Sequence, residues 1–206
     1  MQRSVPRSDL EPGRPVAHPG TAIAVADREP VPIRIGVLGC SSIARRRMLP
    51  AMAADPSVGV VAIASRNPAA AAEVAGGYGC AAVTGYQALL ERSDVEAVYA
   101  PLPLALHEEW ADACLAAGKH LLLEKPMTAD PAVTRRLLRR AERAGLVLME
   151  NVMFVQHRQH DAIRRLVADG LIGELRSLRA VFTIPALPDQ DIRYQPELGG
   201  GALWDV

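Results

Sequence analysis

The sequence of 206 residues carries no net charge: 23 lysines and arginines stand against 23 aspartates and glutamates. That balance argues against a charge-driven role on nucleic acid or at a membrane surface. Cysteine is scarce. Cys40, Cys80 and Cys114 make an odd number and no two stand in a CxxC spacing, so neither a disulfide framework nor a zinc site is expected. This usage suits a reducing cytoplasm. No apolar run approaches the ~18 residues that mark a membrane helix. The N-terminus has Arg3 and Arg7 but no apolar segment behind them, so no secretory signal is predicted. Arg45-Arg46-Arg47, Arg135-Arg136 and Arg139-Arg140 lie beside apolar positions on predicted helices and read as solvated helix faces.

Half of the residues are apolar, enough to bury a core. Residues 1–31 contain Pro6, Pro12, Pro15, Pro19 and Pro30 and show no sustained period. They read as a disordered leader, either a native tail or the product of an upstream start codon. From Ile33 the pattern becomes short apolar strands alternating with helical stretches. Strands are predicted over 33–38, 58–64, 82–84, 95–100, 120–123 and 146–149, with helices near 43–53, 68–76, 86–91, 106–117 and 131–144. Unbroken apolar runs such as Val60-Val61-Ala62-Ile63-Ala64 suit parallel strands covered on both faces. The alternation argues for an α/β fold with a doubly wound parallel sheet over residues 32–151. Gly118 and Gly145 fall just past helical runs, where a left-handed cap is wanted. After Met149 the rhythm changes. A helix near 159–169 leads into ELRSLRAVFTI at 174–184, which alternates imperfectly and reads as the first strand of a second, antiparallel sheet. Residues 152–206 are therefore expected to begin an incomplete α+β substrate domain.

Two absences and one tripeptide shape the candidate site. The first strand runs into Gly39-x-Ser41-x-x-Ala44, a strand–turn–helix spacing suited to a pyrophosphate but without the middle glycine. Gly39 makes the tight turn and Ala44 permits close helix–strand packing. Ser41 and Ser42 offer hydroxyls to phosphate oxygens, with Ile43 opening the helix. A tight turn in another α/β fold would read similarly. The second strand ends without the acid that holds a ribose 2′-hydroxyl. Ser65 and Arg66 stand there instead and suit a 2′-phosphate, which favours NADP(H) over NAD(H); an exposed loop arginine is the alternative. The fifth strand ends in Glu124-Lys125-Pro126, placing a lysine at the carboxyl edge where ligands bind in such sheets. Pro126 permits a cis bond there. No metal ligands are predicted.

The glycine turn IRIGVLGCSSIA, the EKP tripeptide after its strand, the Pro-x-x-x-His spacing of Pro103 and His107, and GGGALWDV at 199–206 resemble the glucose-fructose oxidoreductase / inositol dehydrogenase / MocA family of Rossmann oxidoreductases. Longer segments, among them AGKHLLLEKPMT and LPDQDIRYQPELGGGALWDV, are similar to NDP-hexose 3-ketoreductases of deoxysugar biosynthesis. The resemblance covers residues 33–206. It implies reduction, by NADPH, of the 3-keto group of a nucleotide-linked 4-keto-deoxyhexose, with Lys125 beside the nicotinamide and in contact with the reacting oxygen. It implies that the stretch carrying Leu102, Pro103 and His107 passes over the nicotinamide. His107 capping a helix is the alternative, and Leu104 replaces a common asparagine. Asp205 matches the family's catalytic motif, but the tyrosine expected four places later has no counterpart. The expectation is therefore a fragment with weak or no turnover, from a parent that is a homo-oligomer through its second sheet. A dehydrogenase of a free sugar, polyol or dihydrodiol, or a cofactor-binding remnant without turnover, are the rival readings.

Overall fold

The computed structural model describes residues 31–201. The expected leader thus lies outside the described residues, apart from Val31, as does Asp205. Six strands form one sheet: β1 (Ile33–Leu38), β2 (Val58–Ser65), β3 (Ala81–Thr84), β4 (Ala97–Ala100), β5 (His120–Glu124) and β6 (Leu148–Asn151). Their order is β3-β2-β1-β4-β5-β6, and every pairing is parallel. This is the doubly wound arrangement, and its topological switch lies between β1 and β4.

Parallel neighbours need crossovers, and helices supply them: α1 (Leu49–Ala54), α2 (Pro68–Tyr78), α3 (Tyr86–Leu90), α4 (His107–Ala116) and α5 (Pro131–Ala144). Successive strand residues serve opposite layers. Leu38, Ala62, Ala64, Val98, Ala100, Leu121 and Leu123 belong to one core cluster with Leu89, Cys114 and Leu137. Val37, Ile63 and Tyr99 belong to the other, with Ala44, Leu49, Met52 and Val74. Both faces are therefore covered, as the unbroken apolar runs require. Asn67 caps α2 by accepting from the Ala69 and Ala70 amides, and Asp130 caps α5 by accepting from Ala132. Gly145 ends α5 with a φ of +66°, the left-handed geometry anticipated from the sequence.

Three expectations are corrected. The first helix is not one α-helix over 43–53. A π-helical turn, Ala44–Met48, precedes α1, and the Leu49 amide donates to the Ala44 carbonyl. Pro50 supplies the reason: its ring has no N–H and crowds the carbonyl four residues back, so the preceding turn widens. The sixth strand begins two residues later than expected. Leu146 donates its amide to Ala141 and completes the end of α5 instead. Finally, residues 174–184 form no strand. A strand is stable only when its backbone groups find a ladder, and among the described residues none lies beside them. Leu178 and Phe182 are 86 % and 72 % exposed. The helix before them, α6 (Gln159–Ala168), buries no residue. Among the described residues no helix is long and apolar enough to cross a membrane.

Candidate functional site

The carboxyl ends of β1, β2, β4 and β5 bring the predicted site residues to one edge of the sheet. Gly39 leaves β1 with a φ of +99°, and its amide donates to Ala64 O at 2.7 Å. A Cβ here would meet Leu102 Cδ2 at 3.3 Å and the Tyr86 hydroxyl at 3.6 Å. The position needs glycine for conformation and for space. Ser41 Oγ accepts from the Ala44 amide at 3.3 Å. Ser42 is exposed, Ile43 half-buried and Ala44 fully buried, so the packing role assigned to Ala44 is what the structure gives it.

A residue not anticipated braces this turn. Arg45 Nε donates to Cys40 O at 3.1 Å, while its two terminal nitrogens donate to the Glu73 carboxylate of α2 at 2.6 and 3.3 Å. Glu73 is held below its usual carboxylate range by the hydrogen bond from Arg45. Burial pushes the Cys40 thiol up, and the Arg45 charge and the Ser65 hydroxyl partly oppose that. Ser65, at the end of β2, thus sits against the glycine turn; it also accepts from the Asn67 amide at 3.1 Å. Arg66 is exposed at the rim.

Lys125 and Pro126 are half-buried just past β5, and the bond between them is cis. Glu124, directly before them, points into the molecule. Its Oε1 accepts from the Tyr99 hydroxyl of β4 at 2.6 Å and from Asn151 Nδ2 of β6 at 2.7 Å. Asn151 Nδ2 also lies 3.6 Å from Met48 Sδ in the π turn. One carboxylate therefore joins the ends of three adjacent strands, and Asn151 carries the junction on to the helix after the glycine turn. Burial, and then the hydrogen bond to Glu124, push the Tyr99 phenol well above its usual range. Glu124 was expected at the cofactor; the structure commits its Oε1 to this internal junction. Glu150 of β6 holds the lysine loop from outside, with Oε1 accepting from the Met127 amide at 2.6 Å.

His107 is buried and does not cap α4 with its side chain. Both ring nitrogens meet backbone carbonyls of the loops after β4 and β5. Leu102 is buried beneath Gly39, and Pro103 is half-buried beside it. The glycine run of the C-terminal segment returns to this edge. A Cβ on Gly199 would meet Leu104 Cβ at 2.8 Å, so residues 196–200 lie over the turn at Leu104–Leu106. Tyr99, Asn151 and Glu150 were missed from sequence. Their one signal is a polar group within the last two residues of a parallel strand.

Fold and glycine turn together define a dinucleotide-binding domain of the doubly wound class. Residues 33–152 match the oxidoreductase family with an NAD-binding Rossmann fold, GFO/IDH/MocA, and residues 160–206 match that family's C-terminal domain; the chain belongs to this family. It is 55 % identical over 175 residues to a dTDP-3,4-didehydro-2,6-dideoxy-alpha-D-glucose 3-reductase of Saccharopolyspora spinosa, covering 85 % of this chain and 53 % of that protein. A protein of the same name from Streptomyces violaceoruber is 56 % identical over 174 residues, 84 % of this chain and 51 % of that one. Among solved structures, KijD10, a 3-ketoreductase from Actinomadura kijaniata in complex with NADP and TDP-benzene, matches with a TM-score of 0.83 at 53 % identity. That match covers 85 % of this chain and 54 % of the other. The chain spans about half the length of these relatives.

Proposed function

We propose that this chain is the NADP(H)-binding part of a reductase acting on the 3-keto group of a nucleotide-linked 4-keto-deoxyhexose. One observation carries the reading. Four 3-reductases of a dTDP-linked keto sugar are 52–56 % identical to this chain across 84–85 % of it, a span that takes in both the glycine turn and the lysine loop.

The residues present fit a dinucleotide. Gly39 can hold its tight turn against Leu102 and Tyr86 because it has no Cβ. Ser41 and Ser42 would meet the pyrophosphate there, beside the amides that open the helix around Ile43. Ser65 and Arg66 would hold the 2′-phosphate. Leu102 and Pro103 would wall the nicotinamide end. NADPH, when bound, supplies the hydride that reduces the keto carbon. Lys125 offers a cationic hydrogen-bond donor to the oxygen that gains negative charge in that step. Asp205 is proposed to lie with it at the sugar, as part of the C-terminal motif. We divide the chain into a cofactor domain over 32–151 and a substrate domain beginning at 152. A homo-oligomer working in the cytoplasm, without nucleic acid or membrane partners, completes the proposal. The exposed apolar stretch at 174–184 supports an additional packing partner for the second domain.

The cofactor assignment is tested by fluorescence titration of the chain with NADPH and NADH. Arg66→Ala is expected to weaken NADPH by roughly 1.5–3 kcal/mol, the range for a hydrogen bond to a charged group, and to leave NADH nearly unchanged. Equal losses for both cofactors would remove Arg66 from the 2′-phosphate site. A wild-type chain that binds neither would reject the reading as a whole.

A further inference from the structure

Arg45 lies in the π turn that follows the glycine turn, and all three nitrogens of its guanidinium are engaged. Nε donates to Cys40 O at 3.1 Å, and the two terminal nitrogens donate to the Glu73 carboxylate at 2.6 and 3.3 Å. A carboxylate on α2 thus holds the tip of the fork, and its inner edge reaches the backbone of the turn. The Cys40 carbonyl belongs to the peptide unit that joins Cys40 to Ser41. That unit is trans, since the one cis bond among the described residues is Lys125–Pro126. In a planar trans peptide the C=O and N–H point in opposite directions. Drawing the Cys40 carbonyl to Arg45 therefore turns the Ser41 N–H away from Arg45. Among the described residues nothing accepts from that N–H. Ser41 O receives the Arg45 amide and Ser41 Oγ the Ala44 amide, so both oxygens are used inside the turn while the N–H is left outward.

We propose that Arg45 is a positioning residue for the cofactor: it sets the direction of the Cys40–Ser41 peptide and so presents the Ser41 N–H to the pyrophosphate. The role rests on the cofactor reading above. A donor already turned outward needs no backbone rearrangement when a phosphate oxygen arrives, and affinity gains by that saving. Arg45 acts through the peptide and not by contact with phosphate, because its fork faces Glu73. The Glu73 carboxylate also offsets its charge, so attraction at a distance is small. The pair is 34 % and 67 % exposed, and ion pairs of that kind contribute little to stability. What the contact fixes is a direction. The anchor on α2 matters for the same reason. Asn67 caps that helix directly after Arg66, and Cys40 Sγ lies 3.5 Å from Ala70 O in its first turn. The turn for the pyrophosphate and the residues proposed for the 2′-phosphate are thereby held in one frame.

Arg45→Lys makes the test, because lysine keeps the charge and has no inner N–H. NADPH is expected to bind the variant about tenfold more weakly, the equivalent of one charge-assisted hydrogen bond. Adenosine 2′-phosphate, which has no pyrophosphate, is expected to bind it as it binds wild type. Urea unfolding is expected to move little. Wild-type affinity for NADPH in the lysine variant overturns the proposal, since charge alone would then suffice. An equal loss for both ligands overturns it too, since the effect would not belong to the pyrophosphate. A second measurement needs neither variant nor cofactor. In NMR of the 15N-labelled, ligand-free chain of 206 residues, the Arg45 Nε–H is expected to exchange with water at least about tenfold more slowly than that of exposed Arg66. Equal exchange rates would show that the contact with Cys40 is not held in solution, and would also overturn the proposal. A wild-type chain that fails to bind NADPH sinks the cofactor reading, while the exchange rates still decide whether Arg45 holds the peptide.

Discussion

Replacing Gly39 by valine is expected to cut NADPH affinity by about 100-fold or more while leaving the secondary structure in place. Two effects combine. The backbone sits at a φ of +99°, where a β-branched residue is strained by roughly 1–3 kcal/mol. A Cβ would also press on Leu102 Cδ2 at 3.3 Å, and valine adds two methyls on the same crowded side, so the turn that would receive the pyrophosphate must shift. Losing two charge-assisted contacts to backbone amides, at about 1.5–3 kcal/mol each, accounts for the size of the effect. Circular dichroism and NADPH titration of the purified variant make the check. A folded Gly39→Val chain that binds NADPH within threefold of wild type would show that the cofactor does not use this turn.

The second large effect falls on stability. Glu124→Ala is expected to destabilise the domain by about 3 kcal/mol, because it leaves the buried Tyr99 hydroxyl and the Asn151 amide without their acceptor. Glu124→Gln keeps one carbonyl oxygen for these donors and should lose less. Urea unfolding at neutral pH makes the comparison, and a loss below about 1 kcal/mol for the alanine variant would mean that water or a neighbour replaces the carboxylate. The same junction has a pH signature. The folded phenol of Tyr99 is raised above its unfolded value, chiefly by burial. Its neutral form is thus favoured in the native state. That contribution is complete below about pH 10, the unfolded phenol's range, and declines as pH rises beyond it. Tyr99→Phe should remove this alkaline decline.

Much of the fold was legible because parallel strands buried on both faces advertise themselves. Val60 to Ala64 and Leu121 to Leu123 are apolar without a break, and the structure places them in adjoining halves of the sheet. The glycine turn and the lysine loop were legible because both depend on short spacings next to a strand. Groups that meet only through topology stayed hidden. Tyr99, Glu124 and Asn151 are separated by 25 and 27 residues, and no local pattern marks them as one junction. His107 was visible as a motif residue, but its contacts reach one carbonyl five residues back and two that lie 19 and 20 residues on. The π turn follows from Pro50, whose effect on the preceding turn could have been argued in advance. The stretch at 174–184 shows the opposite error: an alternating pattern states what a strand would bury, not whether a neighbouring strand is present to pair with it.

The strand order has a consequence for how the domain assembles. β1, β2 and β3 are neighbours in sequence and in space, whereas β1 meets β4 only across residues 39–96. Closing that long loop costs more chain entropy than joining strands through a single helix. As the chain is synthesised, the first three strands are complete before β4 exists. The seam between β1 and β4 therefore zips late, and it is the same seam on which the proposed cofactor site depends. Pulse-labelled hydrogen exchange during refolding should protect amides of the β2–β3 ladder before those joining β1 to β4, and the reverse order would refute this sequence of events. The nascent domain acquires its ability to hold a dinucleotide at the end of folding, so a cofactor present in the cell can act only on the last step, by drawing off the assembled state.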